Sequence, residues 1–261
     1  MSPVGKFGLR KIASGGVPPI DPCALNIGPP GADVALANLV FQFKADSLAL
    51  ADGTGVASWA DSSGNGHTAT RAVVAEEPIF ASTSVPNGGP VVRFVDAGRG
   101  LDIAGLVNSN RSARTMYILQ RLTPTQNTGG AIISATSVSG GWAYQPDDTP
   151  GDTVDLFFAG NAFTVGPPAT CGWQVIAFSR DFAGNKLLTY RNGIQIQTQG
   201  FAPDNNATAA WTLGSHSGFP DGLIFDLAEI QEYSVVHSAA TVLAQSLALR
   251  NRWQLNSKQG V

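Results

Sequence analysis

Three carboxylates lie in one strand-like run, residues 223–233, and their spacing decides whether they suit sugar cleavage. Glycoside hydrolysis needs two carboxyl groups within about 10 Å of each other, one as the acid and one as the nucleophile or base. On a regular strand, Asp226 and Glu232 share one face and lie roughly 20 Å apart, whereas Glu229 points to the other face. The spacing argues against a glycosidase, and it predicts no catalytic residue. Glu229 is expected to be a structural carboxylate that bonds a loop or the helix.

The histidines and cysteines do not form a recognisable catalytic or metal-binding motif. His67, His216 and His237 are scattered, and each is expected to be an exposed loop residue. The spacing of Cys23 and Cys171 fits no metal motif, and it leaves open whether they form a long-range disulfide or stay reduced. No glycine-rich segment is followed by the helix and lysine of a nucleotide site. The sequence therefore predicts no cofactor, apart from the calcium alternative considered below.

The elements that would position these groups are short strands joined by tight turns. Hydrophobic residues make up 43% of the 261 residues and charged residues 13%, with 30 glycines and 16 prolines. This composition favours many short strands over a disordered chain. The Asn192-Gly193 pair tolerates positive φ at both central positions of a turn, so it predicts a type I′ hairpin.

Only the segment from Ser238 to Trp253 changes to a helical period. It is rich in alanine and leucine and contains no glycine or proline, and Ser238 is a suitable N-cap. The face predicted from the spacing consists of Leu243, Leu247, Arg250 and Trp253. We therefore expect one short helix to close an otherwise all-β domain.

Two segments resemble the concanavalin A-like, laminin-G-type superfamily of jelly rolls. The first is the run 39–46 followed by Trp-Ala-Asp-Ser-Ser-Gly-Asn-Gly at 59–66, and the second is the run 228–233 followed by the helix. Together with the hairpin at 190–193, the match covers residues 36–255. The residues that carry this fold signature are Trp59, Asp61, Gly64, Asn65, Gly66, Asn192, Gly193 and Glu229. Because such folds serve many functions, the signature indicates the fold and not an activity.

The resemblance implies an all-β, concanavalin A-like jelly-roll sandwich of two antiparallel sheets, with one short C-terminal helix and an extended N-terminal arm. Laminin-G-type domains often bind calcium at a rim loop, and the calcium candidates here are Asp147, Asp148, Asp152 and Asp155. Acidic residues of a solvated loop that binds no metal would give the same cluster, so this alternative stays open.

Lectin-like relatives bind sugars through rim aromatics and polar groups. The candidates for such a ligand rim are Trp142, Tyr144, Asp147, Asp148, His216, Phe219 and Asp221. Trp142 and Tyr144 share one strand face and suit packing equally well.

Residues 1–33 differ from the rest because prolines and glycines dominate them. Proline removes backbone donors, so this segment is expected to be an extended arm. An arm without a core must lie against its own domain, a sister subunit or another protein. The first residues lack the apolar stretch of a secretory signal. The expected domains are the arm at 1–33, a laminin-G-like jelly roll at 34–256 and a tail at 257–261.

The charge and the apolar runs exclude two classes of partner. A formal net charge of -3 argues against nucleic-acid binding, and the apolar runs are too short to cross a membrane. The arm favours a non-enzymatic virion structural protein, such as a bacteriophage capsid decoration (cement) or fibre component, made in the host cytoplasm and placed on the virion surface. Its partners would be a major capsid protein, bound through residues 1–33, and its own copies, with a trimer favoured. The alternative is an extracellular, lectin-like domain that binds cell-surface glycans; a glycoside hydrolase is the third reading.

Overall fold

The structure of the chain is a computed structural model that describes residues 37–85, 88–95, 98–106, 113–122, 132–135, 142–146, 154–158, 161–164, 172–200, 211–214 and 224–255. Residues 135, 142–143, 145–146, 154–158 and 161–164 are described by their backbone only. The predicted arm, the predicted tail, Cys23 and Cys171 lie outside the described residues. The division into arm, jelly roll and tail therefore stays a prediction.

Runs rich in β-branched and aromatic residues form sixteen strands in the described part of the chain. Numbered along the chain, they are β1 (Leu39–Lys44), β2 (Ser58–Ala60), β3 (Thr68–Thr70), β4 (Ile79–Ala81), β5 (Val91–Phe94), β6 (Gly100–Ala104), β7 (Arg114–Leu122), β8 (Ile133–Ala135), β9 (Trp142–Pro146), β10 (Val154–Phe158), β11 (Asn161–Thr164), β12 (Trp173–Asp181), β13 (Lys186–Arg191), β14 (Ile194–Gly200), β15 (Trp211–Gly214) and β16 (Phe225–Tyr233). One α-helix, α1 (Ala239–Arg252), follows the last strand, and short 3-10 helices span Ala45–Ser47 and Val74–Glu76.

The strands form two antiparallel sheets of eight strands each. Sheet A has the order β14-β13-β12-β7-β16-β5-β4, and β1 also pairs with β16. Sheet B has the order β11-β10-β9-β8-β15-β6-β3-β2. Many neighbouring strands are distant in the sequence, as β7 and β16 are. The predicted all-β sandwich of two antiparallel sheets with one C-terminal helix is confirmed.

The two sheets face each other across an aromatic interior. Phe41 of sheet A packs edge-on against Trp211 of sheet B, with ring centroids 6.4 Å apart. Phe178 of sheet A packs against Tyr144 of sheet B, with centroids 4.8 Å apart. All four side chains are buried. Because full burial of a large apolar side chain contributes about 2 kcal/mol, such pairs hold the sheets together.

Helix α1 covers the outer face of sheet A. Gln245 of the helix donates to Gln231 Oε1 at 2.6 Å, and Trp253, just after the helix, donates to Glu229 Oε2 at 2.8 Å. All nine residues of β16 are buried, which shows that this central strand is covered on both faces. The centre of sheet A therefore lies between sheet B and the helix.

Sheet B, in contrast, leaves its outer face open at β2, β3 and β6. The residues of β6 alternate between buried and exposed from Leu101 onward, and β2 places a buried Trp59 between two exposed residues. This alternation is typical of a sheet with one face on the core and one face in water. On this open face the described strands present exposed polar side chains such as Ser58, Thr70 and Asp102.

The hairpin predicted at Asn192-Gly193 is confirmed. These residues have φ values of 50° and 83°, and the flanking Arg191 and Ile194 pair in the β13–β14 ladder. Asn192 also accepts a hydrogen bond from the Val175 amide on its side-chain oxygen, at 3.0 Å. The turn is thus fastened to the neighbouring strand β12.

The start of α1 is as predicted, but its buried face is displaced from the predicted one. The Ser238 side chain accepts a hydrogen bond from the Thr241 amide at 3.2 Å. The buried positions are Val242, Gln245, Ser246, Ala248, Leu249 and Arg250, while the predicted Leu243 and Leu247 are half-buried. The prediction was wrong at these two leucines. Gln245, which donates to Gln231 of sheet A, lies on the buried face instead. Within the described residues, no helix combines the length and apolar character needed to span a membrane.

Candidate functional site

The three carboxylates of β16 lie on faces that differ from those predicted for a regular strand. The ladder between β16 and β7 shifts by one residue between Leu227 and Glu229, which is a β-bulge. A bulge adds one residue to the alternation, so Asp226 and Glu229 both lie on the outer face and Glu232 lies on the interior face. The prediction that Asp226 and Glu232 share a face was therefore wrong.

Each of these carboxylates is engaged by arginine. Asp226 accepts from Arg93 at 2.7 Å and 3.1 Å, and it also accepts from Arg121. The Arg121 guanidinium in turn lies over the Trp173 ring, 5.3 Å from its centroid. These four side chains form a linked group on the outer face of sheet A. They connect β5, β16, β7 and β12.

Glu232 forms the interior ion pair. It accepts from Arg114 at 2.8 Å, and its pKa is raised because burial outweighs the attraction of that arginine. Burial also lowers the pKa of Arg180 to about 10. Glu232 is buried to 1% exposure, so no large substrate reaches it in this arrangement.

Glu229 joins the helix to sheet A. Its Oε1 accepts from Gln42, Gln231 and Arg252, each at 2.6 Å, and its Oε2 accepts from Trp253 at 2.8 Å. The side chain is fully buried. These contacts occupy both carboxylate oxygens, so Glu229 fastens the C-terminal end of α1 rather than meeting a ligand.

The loop at residues 59–66 fastens β1 to the domain. Asp61 accepts from the amides of Gln42 and Ser63, at 2.7 Å and 2.8 Å. Asn65 donates to the carbonyls of Leu39 and Val40, at 2.8 Å and 2.9 Å. The polar side chains of the loop thus replace a strand partner for β1.

The remaining signature residues of this loop either pack in the core or allow its turns. Trp59 is fully buried, and its indole N–H donates to the Lys44 carbonyl at 3.0 Å. Gly64 and Gly66 have φ values of 89° and 80°, which side chains rarely tolerate. The signature therefore has a structural role in this chain.

Only two of the seven predicted rim residues, Tyr144 and Trp142, lie in the described part of the chain. Tyr144 lies in the interior, fully buried, where its hydroxyl accepts from Gln120 at 2.8 Å, so it does not lie at a rim. Burial raises its pKa. Trp142 lies in β9, where its backbone pairs with those of Ala135 and Phe158. The other rim candidates, which are Asp147, Asp148, His216, Phe219 and Asp221, lie outside the described residues.

The calcium candidates are likewise largely outside the described residues. Asp147, Asp148 and Asp152 fall there, and Asp155 belongs to β10, of which only the backbone is described. In the part of the chain that the structure describes, no three histidine, cysteine or acidic side chains meet in a way that could hold a metal ion. The calcium site stays a prediction.

The histidine prediction was wrong for His237. This residue is buried, its Nδ1 shares a 2.8 Å hydrogen bond with the Tyr117 hydroxyl, and its amide donates to Thr115 at 2.9 Å. Burial lowers its pKa. It does lie in the loop between β16 and α1, but its ring packs against Tyr117 of β7 and Tyr233 of β16. His67 is half-buried, and His216 lies outside the described residues.

One row of paired residues crosses the outer face of sheet B from edge to edge. In the backbone register it consists of Ser58, Thr70, Asp102, Thr212, Ser134, Ala143, Phe157 and Ala162. We call it the sheet B row. At about 4.8 Å per strand, its eight residues span roughly 34 Å. Most of its members are small, and several carry hydroxyl groups.

Polar groups concentrate at the exposed end of the sheet B row. Asp102 Oδ1 accepts from the Thr212 hydroxyl at 3.0 Å, and the Asp102 side chain is 61% exposed. Arg71, next to the row, lies 3.4 Å from Asp102 Oδ2 and also pairs with Glu76. The buried Arg71 Nε has no hydrogen-bond partner among the described residues. Beyond Arg71, Val74 is 76% exposed.

The middle of the sheet B row holds a buried hydroxyl without a partner. Ser134 is only 1% exposed, and its Oγ makes no hydrogen bond with any described residue. An unsatisfied buried hydroxyl costs about 1–3 kcal/mol, so it favours an additional partner such as a buried water. The row thus runs from exposed polar groups to a hydroxyl with unused bonding capacity.

Sequence reasoning missed the residues at the centre of this arrangement. Asp102 lies between the apolar Leu101 and Ile103, and Thr212 lies between Trp211 and Leu213. This period-two alternation marks both as outward-facing strand residues. Their meeting was not predictable from it, because 110 positions separate them in the chain and only the β6–β15 register aligns them.

Comparison with known proteins identifies the fold but no family. No family model and no curated protein matches the chain. Among solved structures, the chain is similar to the binding domain of Paraclostridial Mosquitocidal Protein 1, with 13% identity and a TM-score of 0.55 over 81% of this chain and 52% of that one. It thus spans about half the length of that binding domain. The likeness shows a shared fold, a sandwich of two antiparallel sheets.

Two further similar structures were determined with sugars bound. Domain 4 of the arabinanase AbnA from Geobacillus stearothermophilus, in complex with arabinotriose, has 18% identity and a TM-score of 0.57, over 80% of this chain and 98% of that one. The ligand binding domain of botulinum neurotoxin serotype D, in complex with N-acetylneuraminic acid, has 10% identity and a TM-score of 0.57, over 81% and 51%. At these identities the likeness again shows the fold alone.

Proposed function

We propose that this chain is a carbohydrate-binding domain and that it binds its glycan on the open face of sheet B. The observation that carries the proposal is the sheet B row, in which Asp102, Thr212 and the adjacent Arg71 present donors and acceptors together on an accessible surface. Sheet A offers no comparable surface at its described centre, since α1 covers it.

The chemistry of the row suits sugar hydroxyl groups. A carboxylate accepts from one hydroxyl while the neighbouring threonine or arginine donates to the next, which is how a few placed polar groups orient a ligand. The exposed members of the row, Ser58, Thr70 and Asp102, place this polar surface at the β2–β3–β6 end of sheet B. The sugar complexes of two structurally similar proteins support this reading.

Binding without cleavage is part of the proposal. The carboxylates of β16 are held by arginines and by the helix end, and two of them lie on the face of sheet A that is opposite the interior. Polysaccharide cleavage that is lost on Asp226→Asn or Glu232→Gln would contradict this part. A binding domain should instead retain the glycan unchanged after long incubation.

A glycan array followed by calorimetric titration tests the site. Asp102→Ala and Thr212→Val are expected to weaken binding roughly 10- to 100-fold, as the loss of a hydrogen bond to a charged group does. The matched control is Asp46→Ala, which removes another exposed aspartate close to the end of β1 and should leave the affinity unchanged. Unchanged binding in both row variants, or loss only on Trp142→Ala, would refute this placement of the site.

The virion role stays a prediction. It depends on residues 1–33, which lie outside the described residues, and none of the three structures compared above is a virion protein. The same holds for the capsid protein partner, the trimer and the virion or extracellular location. A monomer in solution with a freely mobile arm would count against the virion role.

A further inference from the structure

Hydrogen-bond donors without acceptors collect between α1 and sheet A. Arg250 is 1% exposed, and neither its Nη1 nor its Nη2 has a hydrogen-bond partner among the described residues. Ser246 is fully buried, and its Oγ is also unpartnered there. Helix α1 packs on β7, β12 and β14 of sheet A.

Ser246 and Arg250 lie on the same face of the helix. Residues four positions apart lie on adjacent turns of the same face, with Cβ atoms about 5–6 Å apart. This face points towards sheet A, because Val242 and Leu249 on it are fully buried. A hydroxyl and a guanidinium therefore lie next to each other in a space closed to solvent.

The carboxylates of this interface are already used by other groups. Asp226 is paired with Arg93 and Arg121, and Glu229 is paired with Arg252 and three neutral donors. Burial alone accounts for the lowered pKa of Arg250, and no carboxylate offsets it. The positive charge of Arg250 thus has no counter-charge within the described residues.

The energies show that the helix dipole alone does not stabilise the buried charge of Arg250. A cation in the last turn of a helix gains about 0.3–1 kcal/mol from the helix dipole. Burying an uncompensated charge costs several kcal/mol, which is far more than the dipole returns. Every unpartnered group described above is able to donate, so the missing component must accept hydrogen bonds and carry negative charge.

We propose that a small oxyanion binds between α1 and sheet A, held by the guanidinium of Arg250 and the hydroxyl of Ser246. The planar fork of arginine suits two oxygens of one tetrahedral or planar anion. The anion would connect the helix to the sheet by hydrogen bonds, as Glu229 does at the C-terminal end of the helix. The proposal is independent of the glycan site, which lies on the other sheet.

The first test is direct binding to the wild-type chain. After exhaustive dialysis, inorganic phosphate is titrated into the full chain in a calorimeter, with sulfate, formate and chloride in parallel. We expect saturable one-site binding for the oxyanions and a rise in Tm of about 5 °C at roughly 100 times the dissociation constant. Absence of saturable binding by any of these anions into the millimolar range would overturn the proposal and assign the space to water.

Matched variants separate the site from general salt effects. Sulfate stabilises most proteins by exclusion from their surface, so a non-saturating rise in Tm is expected in every variant. Arg250→Met should abolish the saturable component while folding in its absence, because methionine fills a similar volume without charge. Arg252→Met is the control: it breaks the pair with Glu229 but leaves the saturable component in place. Equal saturable rises in Tm in wild type and Arg250→Met would show that the anion binds elsewhere and would refute the assignment.

Discussion

Replacing Glu229 by alanine removes the connection between the C-terminal end of α1 and sheet A. Three donors converge on Oε1 at 2.6 Å, and the Trp253 indole donates to Oε2 at 2.8 Å. The carboxylate is fully buried, and so are the Gln231 side chain and the indole. The substitution therefore leaves several buried donors without an acceptor and opens a cavity of side-chain size.

The expected loss of unfolding free energy follows from the burial of each donor that Glu229→Ala leaves unpaired. Breaking a buried pair by removing one partner costs about 3–5 kcal/mol. The Arg252 side chain is 25% exposed and is partly rehydrated, so its share is the smaller one. Two neutral buried donors left unpaired cost about 1–3 kcal/mol each if nothing relaxes, and partial relaxation brings the total to roughly 4 kcal/mol. In a domain of this size that lowers Tm by about 8–16 °C.

Urea unfolding of Glu229→Ala and wild type, followed by tryptophan fluorescence and calorimetry, measures the loss. The control is Glu76→Gln, which breaks a surface pair with Arg71 and should cost at most about 1 kcal/mol. A double-mutant cycle with Trp253→Phe should give a coupling of about 1 kcal/mol or more. A loss below about 1 kcal/mol for Glu229→Ala, or no coupling to Trp253, would refute the role assigned to this carboxylate.

Two further predictions concern the turn and the buried histidine. Gly193→Ala should destabilise the domain by about 2 kcal/mol more than Gly53→Ala in urea unfolding, because both glycines have positive φ but only a Cβ at Gly193 would meet Leu243, at 2.7 Å and 2.8 Å; equal losses would contradict the packing of that turn. Burial lowers the pKa of His237 below its ordinary 6.5, so its contribution to stability is present above pH 6.5 and is lost as the pH falls through the folded-state pKa. The free energy of unfolding of His237→Gln, measured at about pH 7.5 and pH 5.5, should therefore change less than that of wild type, and an unchanged pH dependence would show that His237 is not the titrating group.

Features that depend on neighbouring residues were predictable from the sequence. The Asn192-Gly193 hairpin and the Ser238 N-cap follow from local backbone chemistry, and both are present in the structure. The fold class followed from the alternation of short strands and turns, together with the signature at residues 59–66. These signals lie within a few residues of each other, so no knowledge of distant contacts was needed.

Features that depend on strand register were decided by tertiary structure alone. The bulge near Leu227 reversed the faces expected for Glu229 and Glu232, because one extra residue exchanges the two sides of a strand. The same dependence on register brought Asp102 and Thr212 together, although each was visible only as an isolated outward-facing residue. What the sequence by itself determined is therefore the kind of domain and its local turns. Which side chains meet, which face stays open and which charges are buried were settled by the packing of segments that are far apart in the chain.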